Sequence, residues 1–432
     1  MKSAKIENGI NGEIKIPGDK SISHRSIIIP SISKGICEIT NILKSEDVLH
    51  TLNAFKLMGV KIKEIEDRII IYGNGITSLK KPNDKIYLGN SGTSARLLTG
   101  LLASQNFNSI LTGDRSLSSR PMKRIADPLS LMNAKIQTSD GKMPIKIFGK
   151  NLKNSKITVD IASAQIKSGL ILAALNTKGK TTIIEKNITR NHTEIMLESF
   201  GANIEIQKIY NENFIEIVGK KEIIPQNIQV PSDLSSSAFF IVAALINKNS
   251  NITLKNININ PTRSGVLIAL NKMGANINIT NKRILNNENV ADINVQSSEL
   301  NGCELDKDIA KLMIDEYPIM SIAAAFAKSP SIFRGLSELR VKESDRLNLI
   351  ATNLKNCGCN CKIENDDLFI SPITKKEIFL PNIKTNFDHR IAMAFLVMGS
   401  RLEEIKIDNS DSIKTSFPKF VDEFNSAGGR IY

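Results

Sequence analysis

The sequence predicts an α/β protein built from six copies of one βαβαββ-like unit, arranged as two domains of three units each. Two recurring phrases carry this prediction. The first is an apolar pair, a Gly or other small residue, then a strand. It occurs as LMGVKI, LMNAKI, SFGANI, KMGANI, NCGCNC and SAGGRI. The third letters are Gly59, Asn133, Gly201, Gly274, Gly358 and Gly428, spaced 68 to 84 residues apart, close to the 72 that dividing 432 residues by six would give. Each reads as a helix end whose Gly or Asn takes the left-handed C′ position before the chain enters a strand. The second phrase is a Ser, Thr or Asp opening an apolar helix, near Ser21, Thr93, Ser163, Ser235, Asp315 and Asp388. Its spacing is 70 to 80 residues. Two markers with one period define the repeat.

Six such units exceed one hydrophobic core, so two domains are expected. Pro17-Gly18 and Val230-Pro231 punctuate the chain just before helix starts. They divide it into a discontinuous terminal domain, 1–18 with 230–432, and an inserted domain, 19–229.

Composition narrows the function. Hydrophobic residues are 41% and charged residues 23%, an ordinary globular balance. The opening MKSAKIENGINGEIKIPG lacks an apolar signal region, and no apolar run reaches the length of a membrane helix. A cytoplasmic protein is expected. The five cysteines do not read as a disulfide framework. Cys357, Cys359 and Cys361 alternate, which predicts one face of a strand, with the thiols serving as small core residues. With four scattered histidines and no CxxC pair, a zinc site is not expected. The chain carries 57 basic and 44 acidic residues, net +13. Nucleic acid is one reading of that charge. Yet Trp is absent, aromatics are 5%, and the cations form no dense block, so an RNA-stacking surface is disfavoured. Anionic small molecules are the other reading.

The helix starts themselves favour anions. They read PGDKSISHR, GNSGTSAR, SAQIKS, PSDLSSS, DEYP and DHR. A helix N-terminus presents unpaired N–H groups and about half a positive charge, a ready anion site. Plain capping explains the serines. It does not explain Lys20, Arg25 and Arg96, because a cation in the first turns opposes the helix dipole, at a cost of about 0.3–1 kcal/mol. A bound anion offsets that. Three further clusters join them: the basic loop GDRSLSSRPMKR (113–124), the segment LRVKESDR, where Lys342, Glu343 and Arg346 fall within one helical turn, and IKTSFPKF with Lys414 beside a turn.

These segments, with RNHTE (190–194) and NPTR (260–263), resemble the 5-enolpyruvylshikimate-3-phosphate synthase family, and specifically its second class, in order and spacing over essentially the whole chain. The resemblance implies a two-domain inside-out α/β barrel, the enolpyruvyl transferase fold, with the active site in the cleft between the domains. It implies transfer of the enolpyruvyl group of phosphoenolpyruvate to the 5-hydroxyl of shikimate 3-phosphate, through a tetrahedral intermediate and with release of phosphate. It also implies a monomer that needs no metal or other cofactor and binds neither nucleic acid nor membrane. Carried over by motif, Lys20, Ser21, Arg25, Ser163, Gln165 and Arg190 hold shikimate 3-phosphate, and Asp315 and Lys342 meet its hydroxyls. Lys20, Gly92, Arg120 and Gln165 meet phosphoenolpyruvate, together with Arg346, Arg390 and Lys414. Asp315 acts as the base on the 5-hydroxyl, and Glu343 with Lys20 exchanges the proton at the methylene carbon. Glu338 stands where many relatives have Asn and is left outside the site; Arg96 is given no role by the motif match, and its place in the site is left open. Some second-class members tolerate glyphosate, often with a larger residue at the position of Gly92. The related transferase acting on UDP-N-acetylglucosamine is the alternative. It usually has Lys-Asn at Lys20-Ser21 and a catalytic Cys in the loop 113–124, which here holds none.

Overall fold

The computed structural model describes residues 1–373 and 381–432. The chain forms two compact units. A terminal unit comprises 1–17, 231–284 and 289–432; an inserted unit comprises 18–230 and 285–288. The divisions differ from the sequence-based boundaries in three small ways, each with a local cause. Gly18 packs so closely that a Cβ there would lie 2.0 Å from the Asn41 carbonyl oxygen. Val230 donates its N–H to the Thr40 carbonyl at 3.0 Å. Gln229 donates to the Asn286 side chain at 2.8 Å, which brings 285–288 to the inserted unit.

All six anticipated helix starts are present: α1 Lys20–Ser31, α2 Gly92–Ala103, α3 Ala164–Leu175, α4 Leu234–Ile246, α5 Tyr317–Ala325 and α6 His389–Gly399. Asp19, Ser91, Ser163, Asp233 and Asp388 cap α1, α2, α3, α4 and α6 through their side chains. The six predicted C′ residues all adopt positive φ, from +64° at Asn133 to +108° at Gly428. The repeat was visible because both ends of its helices carry local chemistry.

Five four-stranded sheets share one order: a short strand parallel to the second, then two antiparallel partners. In the second repeat these are Ile86–Tyr87, Asn108–Thr112, Lys142–Phe148 and Lys135–Ser139. Within each unit, distant chain segments complete sheets. Ile228–Gln229 supplies the first strand beside Lys34–Thr40, with Ile228 opposite Ile39. In the terminal unit Asn11–Ile14 pairs in parallel with Asn251–Asn258. Lys2–Ala4 pairs antiparallel with Glu404–Ile407 in the three-stranded sheet. The chain start belongs to the terminal unit because it contributes these strands.

The helices, not the sheets, form the middle of each core. Every residue of α4 and α5 is buried, and α6 buries all but Arg390. The strands alternate: in Lys142–Phe148 Met143, Ile145 and Ile147 face in while the lysines face out. In the inserted unit α2 and α3 touch backbone to backbone, since a Cβ on Gly100 would sit 1.9 Å from the Gly169 carbonyl oxygen. This close approach fixes the ends of α2 and α3 beside one another. In the terminal unit Phe240 meets Phe417, Phe420 and Phe424 with ring centroids 5.7–6.0 Å apart, which anchors the segment after Lys414.

Three local readings are corrected. Cys357 and Cys359 are not on a strand. Cys357 ends the helix Arg346–Asn356, Gly358 turns at φ +77°, and only Cys361 lies on the strand Cys361–Glu364. All three thiols are nonetheless buried core residues. Lys342, Glu343 and Arg346 do not share a helical turn. A 3-10 helix ends at Val341, and Asp345 caps a new helix at Arg346 by accepting the Asn348 N–H at 3.1 Å. The stretch 113–124 is not a plain loop, because Asp114 caps the short helix Arg115–Ser119 and a second helix begins at Lys123.

Candidate active site

In the inserted unit, the starts of α1 and α2 carry hydroxyls and cations, and the start of α3 carries Ser163 and Gln165. Arg25, one turn into α1, is buried. Its Nε donates to Thr193 Oγ1 at 2.6 Å, one terminal nitrogen to the Ser21 carbonyl at 2.8 Å, and the other to Ser168 Oγ at 2.8 Å. Burial lowers its pKa to about 10 against the pull of Glu194 and Asp19, and the charge of Arg190 lowers it too. Lys20 pairs with Asp47 at 2.5 Å. At the start of α2, Arg96 donates to Gln165 Oε1 at 2.5 Å, and Gln165 donates in turn to Thr93 Oγ1 at 3.0 Å. Arg120 donates to Asn90 Oδ1 and, at 3.3 Å, to Ser116 Oγ. A Cβ on Gly92 would lie 2.9 Å from Arg96 and 3.0 Å from Arg120, so both guanidinium groups close over this backbone. Gly92, Arg120 and Gln165 are therefore brought together, with Arg96 as their linchpin. Ser163 caps α3, its Oγ accepting the Ile166 N–H at 3.4 Å.

In the terminal unit, the starts of α5 and α6 and the segment 342–346 converge on carboxylates. Arg346, 1% exposed, meets Asp388 Oδ2 at 2.8 Å, Asp315 Oδ1 at 3.1 Å and Glu343 Oε2 at 2.5 Å. Burial alone would lower its pKa, but Asp388, Glu343 and Asp315 outweigh burial and raise it. Lys342 reaches the same Asp315 oxygen at 3.2 Å. Their like charges coexist because Asp315 stands between them. Arg390 donates to the Asp315 carbonyl at 3.1 Å and lies 3.7 Å from Glu316. Asp388 is the pivot: Oδ1 accepts the Arg390 and Ile391 N–H groups, and Oδ2 accepts from Arg346 and Ser344. Lys414 is exposed and pairs with Asp411 at 2.7 Å.

The sequence reading omitted Asp388, Arg96, Asp47 and Thr193. Asp388 looked like an ordinary cap; its second oxygen is what matters. Arg96 carried a usable signal, being the cation in the first turn of GTSAR that capping could not explain.

Residues 4–424 match the family model described as EPSP synthase (3-phosphoshikimate 1-carboxyvinyltransferase). The chain belongs to the EPSP synthase family. It is 45% identical to the 3-phosphoshikimate 1-carboxyvinyltransferase of Vesicomyosocius okutanii over 98% of this chain and 97% of that one. It is 42% identical to the Hydrogenovibrio crunogenus protein of the same name, again over 98% and 97%. An EPSP synthase structure from Acinetobacter baumannii superposes with a TM-score of 0.86 at 42% identity, covering 99% of this chain and 98% of that one. The Streptomyces tendae enolpyruvyl transferase NikO shares the fold, with a TM-score of 0.79 at 15% identity over 100% and 98%. The fold is thus that of the enolpyruvyl transferases, and the chain is an enzyme of the shikimate pathway. Its reaction joins phosphoenolpyruvate and shikimate 3-phosphate; the UDP-N-acetylglucosamine alternative is not favoured. Among the described residues no helix is long and apolar enough to cross a membrane.

Proposed function

We propose a division of labour between the two clusters in transferring the carboxyvinyl group to the 5-hydroxyl of shikimate 3-phosphate. In the inserted unit, Lys20, Ser21, Arg25, Ser163, Gln165 and Arg190 hold the phosphate-bearing acceptor, and Gly92 and Arg120, with Lys20 and Gln165, meet phosphoenolpyruvate. Arg346, Arg390 and Lys414 of the terminal unit also serve phosphoenolpyruvate. Asp315 and Lys342 meet the shikimate hydroxyls. Two phosphates and two carboxylates enter, so a surplus of aimed cations is what the chemistry requires.

Asp315 takes the proton of the 5-hydroxyl as its oxygen bonds to C2 of phosphoenolpyruvate. Glu343, with Lys20, delivers a proton to C3, giving a tetrahedral phospho-ketal. Loss of a proton from C3 then drives out phosphate by cleavage of the C2–O bond. The observation that carries this reading is the Arg346 guanidinium, which grips Asp315 and Glu343 at once, at 3.1 and 2.5 Å. A single buried group fixes the spacing of the two acids that must move protons in turn.

The test is phosphate release from phosphoenolpyruvate with shikimate 3-phosphate and, separately, with UDP-N-acetylglucosamine. Release with the first acceptor alone is expected. Asp315→Ala and Glu343→Ala should each lower turnover by about 10²- to 10⁴-fold. Undiminished turnover in either would remove that residue from the mechanism. Following the resemblance, we take the enzyme to act as a cytoplasmic monomer of 47.6 kDa; sedimentation at working concentration tests the oligomeric state.

A further inference from the structure

A buried ion triad lies directly behind the Arg25–Arg190 region, and the reaction chemistry does not call on it. Lys167, in α3, is wholly buried. Its ammonium sits 2.9 Å from Glu185 Oε1 and 2.8 Å from Glu194 Oε1, and donates to the Thr189 carbonyl at 3.4 Å. Burial works against the charged ammonium, but Glu194 and Glu185 together raise its pKa. Glu185 ends the strand Lys180–Glu185, and Glu194 stands in the first turn of the helix His192–Ser199. Between them runs the segment 186–193, which carries Arg190 and Thr193. Glu185 holds its middle as well, accepting both the N–H (2.9 Å) and the hydroxyl (2.5 Å) of Thr189. The next residue of α3, Ser168, meets Thr193 at 2.6 Å, and both hydroxyls receive the Arg25 guanidinium.

We propose that Lys167 is a positioning residue for shikimate 3-phosphate: it clamps both ends of the segment 186–193 onto α3 and thereby aims Arg190 beside Arg25. The inference rests on the reading above in which Arg25 and Arg190 hold that substrate. Lys167 itself touches no reactant. Its carboxylate partners lie on the elements flanking the segment, so the clamp sets the path of the loop that carries Arg190.

The experiment measures KM for each substrate, kcat and amide hydrogen exchange across 186–193 in Lys167→Met, in Arg190→Ala and in the double variant. Lys167→Met should raise KM for shikimate 3-phosphate about tenfold or more, with KM for phosphoenolpyruvate and kcat within about twofold, and should speed exchange in 186–193. In the Arg190→Ala background the same change should add less than about twofold, because the residue it acts through is gone. Equal losses in both backgrounds, or a fall in kcat with unchanged KM, would overturn the proposal. Arg190→Ala with unchanged KM would instead overturn the assignment of Arg190; faster exchange in Lys167→Met would then show the clamp surviving without that role. Should Lys167→Met not fold, Lys167→Met/Glu194→Gln removes one charge of each sign and carries the same expectations.

Discussion

Arg25, Arg96 and Arg120 of the inserted unit and Arg346 of the terminal unit are satisfied in opposite ways. In the inserted unit Arg25, Arg96 and Arg120 donate to hydroxyls, a backbone carbonyl and side-chain amides. In the terminal unit Arg346 is surrounded by three carboxylates. Neutral acceptors orient a cation and leave its charge to act on a substrate anion. Carboxylates offset much of that charge, and the arginine also becomes a fixture that orients acids. On the proposed reading, the same residue type thus serves an anion site in one unit and an acid–base site in the other. Lys20, paired with Asp47, departs from the pattern of those three arginines.

The largest effect should come from removing the pivot of the acid cluster. Asp388→Ala strips the Nε partner from buried Arg346 and the cap from α6. It should destabilise the protein by about 3–5 kcal/mol, as breaking a buried ion pair does. Asp388→Asn, which can still cap, should lose less. Chemical denaturation of both variants measures the difference; equal losses would mean that the retained cap contributes nothing, and a loss confined to Asp388→Ala would mean that capping alone explains Asp388. Gly92→Ala probes the neutral-partnered cluster. Its methyl meets the flexible side-chain ends of Arg96 and Arg120, with Gln165 at 3.9 Å, so the fold should survive while KM for phosphoenolpyruvate rises about tenfold. Unchanged KM would place that substrate elsewhere. Asp47→Asn brings Lys20 into that pattern by releasing it from its counter-charge. Substrate binding should tighten by about threefold at low salt, and weaker binding would show that the pair positions Lys20 instead. The smallest effect is expected from the thiols. Burial pushes Cys37, Cys357 and Cys359 up to about 12 and Cys303 to about 11. At pH 8 the protons therefore stay on sulfur, and alkylating reagents should leave native activity intact. Rapid inactivation would reveal a functional thiol.

What could be read beforehand follows the range of the interactions. The helices of the repeat announce themselves at both ends, in caps such as Ser91 and Asp388 and in C′ residues such as Gly59 and Asn133. The two-residue strand Ile228–Gln229 carries no such pattern, and its partner Lys34–Thr40 lies nearly two hundred residues away. Sheet completion was therefore hidden. The segment 342–346 failed for a local reason: its charges suit helical spacing, but Asp345 is a better cap than an interior residue and starts the helix one residue after itself. Cys357 to Cys361 failed similarly, since alternation mimicked a strand where Gly358 turns the chain. Lys20, Arg25, Gly92 and Gln165 stood out because they sit at helix starts, and Arg120 because it lies in the basic run 113–124. Asp388 and Lys167 did not, because their roles come from a second contact made through the core. In a chain rich in lysine, Lys167 looks like any other.

The account's central claim is that the acids of the terminal unit move protons while cations of the inserted unit bind the acceptor's phosphate. Calorimetric titration of shikimate 3-phosphate into Glu343→Gln, alongside its rate of phosphate release, tests this most directly. The account predicts a dissociation constant within about threefold of the parent enzyme and turnover lower by about 10² or more. Affinity falling in step with turnover would contradict it, because Glu343 would then be a binding group and the division between the two clusters would not hold.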